Sequence, residues 1–215
     1  MKTVCPLQDR NRPRWIALIA VTIVLVSPAI PSEAGAGQTE PPASQHANQQ
    51  LPTEKQTTLG RYLTAREAFE KWKAESGKPI IVDVRTPEEF LFVGHANMAW
   101  NVPFAAQSYV WDSATRQFPT RLLPDFVSRV EQIAKPDDTL LVMCRSGASS
   151  AQAVELLLRA GFQNVYNITD GFEGDLVDDP NSVFHGQRLV NGWKNSGLPW
   201  TYDVDPKRML LPPSR

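Results

Sequence analysis

The chain has 215 residues, 42% of them hydrophobic, with 22 basic and 23 acidic side chains and a formal net charge of -1. That is enough to bury the core of one ordinary α/β domain, and the charge balance argues against a nucleic-acid partner, which calls for a basic face. Two cysteines, and three histidines without ligand spacing, argue against a dense disulfide framework and a zinc site, so no metal and no cofactor is expected.

Residues 1–34 read as a targeting segment. Lys2, Arg10, Arg12 and Arg14 form a basic start, Trp15 to Val26 is an apolar run short for a bilayer, and Ser32-Glu33-Ala34 or Ala34-Gly35-Ala36 offers small residues for cleavage. The expectation is a secretory signal, with an uncleaved N-terminal anchor as the alternative. Either route makes the domain periplasmic or otherwise exported. Cleavage would remove those four basic residues and two acidic ones, Asp9 and Glu33, moving the net charge from -1 to -3 and leaving Cys144 as the single cysteine. A lone thiol in an oxidising compartment is a liability unless it has a chemical task.

Residues 35–58, rich in Gln, Pro, Ala, Ser and Thr, have too few apolar side chains to fold and are expected to be a disordered linker. The domain is placed at 59–202. Arg61-Tyr62-Leu63 suits a short edge strand, and Thr64-Ala65-Arg66-Glu67 is a capping box for a helix through Lys73, with Ala68, Phe69 and Trp72 as its apolar stripe. Pro79 to Arg85 is a continuous apolar strand of the kind buried on both faces. Thr86-Pro87-Glu88-Glu89-Phe90 then supplies an N-cap, a proline in the first helical position and acidic residues in the first turn. Gly94-His95-Ala96 breaks that helix, and Ala99 to Pro103 is a further short strand.

Residues 104–119 read as an irregular insertion whose Tyr109, Trp111 and Phe118 are expected to pack down as a satellite cluster, with a substrate or partner surface as the alternative. Pro124 to Lys135 reads as a helix burying Phe126, Val127, Val130, Ile133 and Ala134. Another helix is expected from Ser149 or Ser150 to Arg159, stopped by Gly161, followed by the strand Val165 to Ile168. Strands alternating with helices make an α/β domain of right-handed crossover units. Residues 203–215 look like a C-terminal tail.

The chemistry centres on Cys144. The apolar run Leu140-Leu141-Val142-Met143 ends in this cysteine, the polar loop Arg145-Ser146-Gly147 follows, and a helical segment begins. That order puts the sulfur at the carboxyl end of a buried strand, where α/β sheets place ligands. Loop amides, the next helix's N-terminus and Arg145 then favour an ionised, nucleophilic sulfur. An isolated cysteine is usually a small buried hydrophobe, but one opening a glycine-containing loop into a helix has no packing reason to be there. Ser146, Ser149 and Ser150 are read as hydroxyl donors to a bound anion or as N-caps, and the N-cap role suits Ser149 and Ser150 better.

Taken together these segments resemble the rhodanese, or sulfurtransferase, domain family, from about Leu59 to Trp200. The matching pieces are Ile81-Val82-Asp83-Val84-Arg85, the Thr-Pro-Glu-Glu-Phe helix start, Gly94-His95-Ala96 with Asn101-Val102-Pro103-Phe104, and Cys144-Arg145-Ser146-Gly147. Ala160-Gly161-Phe162 with Asn164-Val165, and Gly192-Trp193 with Gly197-Leu198-Pro199, complete the set. The resemblance implies a five-stranded parallel sheet flanked by helices on both faces, and sulfur transfer through a Cys144 persulfide from a donor such as thiosulfate to cyanide or a thiol, possibly on a protein. It implies Arg145, Ser146, Gly147, Ala148, Ser149 and Ser150 as the substrate-binding loop and Asp83 with Arg85 as supports beside it. His95 is expected to be a hydrogen-bonded core residue.

Two departures stand out. Many family members carry arginine where this chain has Ser149, and losing that cation weakens anion binding, so a persulfide or a protein becomes the better donor. With serine at 150, phosphatase-like chemistry, which needs an arginine six residues after the cysteine, is disfavoured. The second departure is an acidic insertion, residues 175–190, read as a solvated loop or a cover for the site. The alternative function is a non-catalytic sulfur carrier or sensor that binds a protein partner.

Overall fold

The structure, a computed structural model, describes residues 51–212. The expected signal segment and residues 35–50 of the expected linker lie outside the described residues. Strands β1 (Tyr62–Leu63), β2 (Ile80–Asp83), β4 (Trp100–Asn101), β7 (Leu140–Met143) and β8 (Val165–Ile168) form one sheet in the order β1-β8-β7-β2-β4. Every pairing in it is parallel. The apolar runs of β2 and β7 lie in the interior of the sheet, with β7 at its centre, as strands covered on both faces must.

Helices α1 (Ala65–Ala74), α2 (Pro87–Val93), α3 (Phe126–Val130) and α4 (Ala148–Arg159) cover the sheet. Alternation along β7 divides the core. Leu140 and Val142 pack with Val82, Phe126, Val154 and Leu157 beneath α3 and α4, while Leu141 and Met143 pack with Ile81, Ala68, Phe90 and Trp193 on the other side. Both capping boxes form: Thr64 with Glu67 and Thr86 with Glu89 exchange side-chain and backbone bonds. An antiparallel pair, β3 (His95–Ala96) with β9 (Trp200–Thr201), fastens the closing segment.

Five expectations change. Residues 51–58 are not linker: Thr53–Lys55 form a 3-10 turn, the Lys55 side chain is buried, and the Thr58 amide donates to Glu155 at 2.6 Å. Residues 203–215 are not a free tail as far as they are described. The Leu210 amide donates to the Asn101 carbonyl, and Arg208 donates to that of Met98. The expected helix over Pro124–Lys135 is the shorter α3, because Gln132 and Ile133 bond three residues back rather than four, tightening the last turn ahead of Pro136.

The insertion at 104–119 is not irregular either. It opens an antiparallel hairpin, β5 (Ala105–Gln107) pairing with β6 (Thr120–Leu122) just past its end. Its aromatics do not pack down: Tyr109, Trp111 and Phe118 are 75%, 52% and 52% exposed. The 175–190 segment is a solvated loop, closed at its base where Asp175 meets Lys55 at 2.7 Å and Asn191.

The chain order of the strands positions the site. From β2 the connection through α2 leads outward to β4, whereas from β7 the connection through α4 leads the opposite way to β8. β2 and β7 are therefore the neighbours where the winding reverses, and the crevice outside their carboxyl ends is where such sheets hold ligands. Asp83 pairs with Met143 in register, so Cys144 and Val84 open that crevice together.

Trp193, fully buried and bonded through its indole N–H to the Pro199 carbonyl at 2.9 Å, joins the closing segment to the core. Trp193→Ala is expected to lower the unfolding free energy by about 3–5 kcal/mol, read from the urea midpoint.

Candidate active site

Cys144 is 5% exposed, one residue past the end of β7. Two polar groups meet its sulfur. The Gly147 amide donates to Sγ at 3.2 Å, and Ser150 Oγ lies 3.4 Å from it. The rest of its surroundings belong to the apolar cluster under α3 and α4, so the expected ring of amides reduces to one N–H in direct contact.

The N-cap of α4 is Gly147 in the left-handed region, φ +100°, with no side-chain capping bond. Ser149 and Ser150 are thus not caps, contrary to expectation: Gly147 takes the boundary because a side chain there would lie 2.2 Å from the Thr169 carbonyl oxygen. Gly171 is needed for a similar reason, since a Cβ would come 2.5 Å from the Cys144 carbonyl oxygen. The backbone of Phe172 and Glu173 hydrogen-bonds that carbonyl and the one on Arg145, which clamps the cysteine loop against the turn after β8.

Asn167, fully buried on β8, governs both contacts of the sulfur. Its amide nitrogen donates to the Lys55 carbonyl at 2.9 Å and the Gly147 carbonyl at 3.0 Å. Only its oxygen remains, and it can only accept. The Ser150 hydroxyl therefore has two acceptors within reach of its one proton, Asn167 Oδ1 at 2.7 Å and the sulfur at 3.4 Å. Neither Asn167 nor Lys55 was among the expected site residues. The available signal was a polar residue inside the otherwise apolar strand Val165–Ile168, where asparagine is disfavoured.

The remaining loop residues face outward. Arg145 and Ser149 are exposed, while Ser146 and Ala148 are half-buried. Arg145, Ser149 and Gln152 line a cleft of about 410 Å³, together with Val84, Thr86 and Glu89 on one side and Phe118, Thr120 and Leu122 of the hairpin on another. The amides of Ala148, Ser149 and Ser150 head α4 without an intrahelical acceptor, and none of the described residues accepts from them.

Asp83 and Arg85 form a buried pair beside the loop. Arg85 Nη2 donates to Asp83 Oδ2 at 2.6 Å and to the Gly94 carbonyl at 2.8 Å, and its guanidinium lies 4.1 Å from the Phe172 ring centre. Burial opposes the Arg85 charge, but Asp83, aided by Glu89 and Glu173, raises it above its ordinary range. Glu173 Oε1 lies 3.9 Å from Arg85 Nη1, and neither atom has a hydrogen-bond partner among the described residues. Burial pushes the Glu173 carboxyl up against the pull of Arg85 and, more weakly, of Arg145 and Arg188. His95 is buried, stacked on Phe90, with its Nδ1 3.2 Å from the Phe90 carbonyl, a core placement away from the sulfur's contacts.

A family model described as a Rhodanese-like domain matches residues 65–176. The chain is 31% identical over 122 residues to the Uncharacterized protein RP600 of Rickettsia prowazekii (strain Madrid E), a match covering 57% of this chain and 82% of that protein. It is 38% identical over 91 residues to the Thiosulfate sulfurtransferase 16, chloroplastic, of Arabidopsis thaliana, covering 42% of this chain and 68% of that one. Among solved structures, the crystal structure of Rv0390 from M. tuberculosis superposes with a TM-score of 0.50 at 27% identity, over 66% of this chain and 96% of that one.

Removing the Asn167 amide strands the Ser150 hydroxyl and the Gly147 and Lys55 carbonyls in a dry interior. Asn167→Ala is expected to cost about 1–3 kcal/mol in urea unfolding, and to move the Gly147 amide resonance in a nitrogen-15 spectrum.

Proposed function

The chain belongs to the rhodanese-like family, and on that premise we propose that Cys144 carries sulfane sulfur between a donor and a thiol or cyanide acceptor. The observation that carries this reading is the placement of its sulfur. It sits at the reversal point of the sheet, in contact with the Gly147 amide, beside a cleft lined by the residues that follow it in the loop.

The chemistry is two displacements at sulfur. The Cys144 thiolate attacks the outer sulfur of the donor; the donor's sulfur–sulfur bond breaks, and its electron pair leaves on the departing group, sulfite when the donor is thiosulfate. An acceptor thiolate or cyanide then attacks the outer sulfur of the persulfide, and the electron pair returns to Cys144. No net oxidation of the protein occurs. Negative charge builds on the outer sulfur and the leaving group, and the unpaired amides at the head of α4 and the Arg145 guanidinium support it there. Asp83 and Arg85 hold the neighbouring strand end and take no part in bond making.

With Ser149 in place of a cation, small dianionic donors bind weakly. The hydroxyl faces the cleft and is exposed, so a longer side chain fits there. Ser149→Arg is expected to raise kcat/KM for thiosulfate about tenfold, chiefly through KM, by adding one charge-assisted hydrogen bond.

Mass spectrometry after exposure to thiosulfate or a small persulfide tests the reading directly. Wild type is expected to gain one sulfur on Cys144 and release it to cyanide with turnover; Cys144→Ser gains none. Loading without turnover favours the carrier alternative, and no loading from any sulfane donor overturns both.

A further inference from the structure

Two displacements at sulfur require Cys144 to carry negative charge twice, as the attacking thiolate and again as the leaving group when the persulfide is discharged. Its surroundings oppose that charge. The sulfur is buried in the apolar cluster under α3 and α4, and among the described residues no charged side chain is in hydrogen-bond contact with it. The charged groups on the elements around it are engaged elsewhere or exposed. Asp83 pairs with Arg85 at the end of β2, Arg129 with Asp125 on α3, and Lys55 with Asp175. On the turn after β8, Asp170 accepts from the Ala65 and Gly192 amides and Glu173 faces Arg85. Arg145 is exposed in the cleft.

The two groups that do meet the sulfur differ in kind. The Gly147 amide at 3.2 Å is fixed by the loop, whereas the Ser150 hydroxyl, fully buried, can turn about its C–O bond. Its oxygen lies 3.4 Å from the sulfur and 2.7 Å from Asn167 Oδ1. Beside a neutral thiol the amide oxygen is both the nearer and the stronger acceptor. Beside a thiolate the order reverses, because a hydrogen bond to a charged acceptor is roughly twice as strong as a neutral one. Asn167 cannot follow the proton. Its nitrogen is committed to the Lys55 and Gly147 carbonyls, so Oδ1 stays in place to receive the hydroxyl again.

We propose that Ser150 is a catalytic residue and Asn167 its positioning residue: the hydroxyl points to Asn167 Oδ1 while the Cys144 sulfur is neutral and swings to the sulfur whenever that atom is negatively charged. The proposal rests on the sulfur-transfer reading of Cys144. No bond to hydrogen breaks, since the hydroxyl only rotates. Before the first displacement its hydrogen bond, with that of Gly147, holds the thiolate in the apolar setting. Once the outer sulfur is attached, the charge lies on that outer atom and the hydroxyl returns to Asn167. When an acceptor attacks the outer sulfur, charge comes back to Cys144 and the hydroxyl swings again, which favours this sulfur as the leaving group.

Thiolate formation is followed by ultraviolet absorbance against pH, with the Cys144→Ser protein as the blank, which cancels Cys5 and the tyrosines. Ser150→Ala, a substitution a helix accepts, is expected to move the titration midpoint up by about one pH unit relative to wild type. Loading of sulfur from a small persulfide then falls about tenfold at a pH below both midpoints and recovers at a pH above them, a recovery that a damaged fold would not show. Asn167→Leu, close in shape but without an acceptor, is expected to move the midpoint the other way, down by about half a unit, because the hydroxyl loses its competing partner. In the Ser150→Ala background the same change is expected to give no downward shift.

An unchanged midpoint in Ser150→Ala, or loading that stays depressed at high pH, overturns the role of Ser150. An upward shift from Asn167→Leu, or the same shift with and without the hydroxyl, overturns the role of Asn167. If Asn167→Leu does not fold, as judged by its urea transition, the Ser150→Ala titration and loading profile decide alone. Should wild-type Cys144 accept no sulfur from any donor while the titration shifts appear as stated, the sulfur-transfer reading fails and the hydroxyl still serves an ionised sulfur. Should wild type load and turn over while Ser150→Ala behaves identically, only the hydroxyl switch falls.

Discussion

A single buried amide organises the candidate site. Asn167 is held by two backbone carbonyls, one from the segment before the first strand and one from the cysteine loop, and this leaves its oxygen free only for Ser150. The orientation of the amide is thereby determined, and with it the acceptor that Asn167 offers the Ser150 hydroxyl beside the sulfur. A half-satisfied network in this position would be costly in a dry interior. The three bonds of Asn167 therefore tie the loop that follows β7, the first turn of α4 and the chain around Lys55 into one unit.

That unit sits where the sheet reverses its winding, and the reversal explains why a loop of small residues can approach so closely. The turn after β8 presses its backbone against the carbonyls of Cys144 and Arg145, a contact possible only with glycine at 171. Lys55 extends the same connection to the 175–190 insertion through Asp175, whose carboxyl is held below its ordinary range by the Lys55 ammonium and Asn191 despite the opposing effect of burial. The two insertions differ in kind. The 175–190 loop is tied at its base and exposes its body to solvent, whereas the hairpin forms a wall of the cleft and presents aromatic side chains beside it.

Much of this was legible from local patterns. The capping boxes at Thr64 and Thr86, the continuous apolar runs of β2 and β7, and the strand, loop and helix order around Cys144 are short-range features that depend on neighbouring residues alone. Where reading by pattern failed, a distant contact had overridden composition. The polar stretch before Leu59 has too little apolar surface to fold by itself, yet Lys55, Thr57 and Thr58 find partners on α4, β8 and Tyr62. Serines 149 and 150 suit a helix cap by residue type, but the packing of Gly147 against Thr169 moved the cap upstream.

By itself the amino-acid order determined the class of fold, the central strands and the identity of the cysteine, because hydrophobic period, capping chemistry and glycine placement act within a few residues of one another. Only the tertiary structure decided what touches the sulfur, which charges line the cleft and which insertion walls it. Those properties arise between residues far apart in the chain, as between Lys55, Gly147 and Asn167 or between Leu122 and Gln152, and the folding of the sheet is what brings them to one edge.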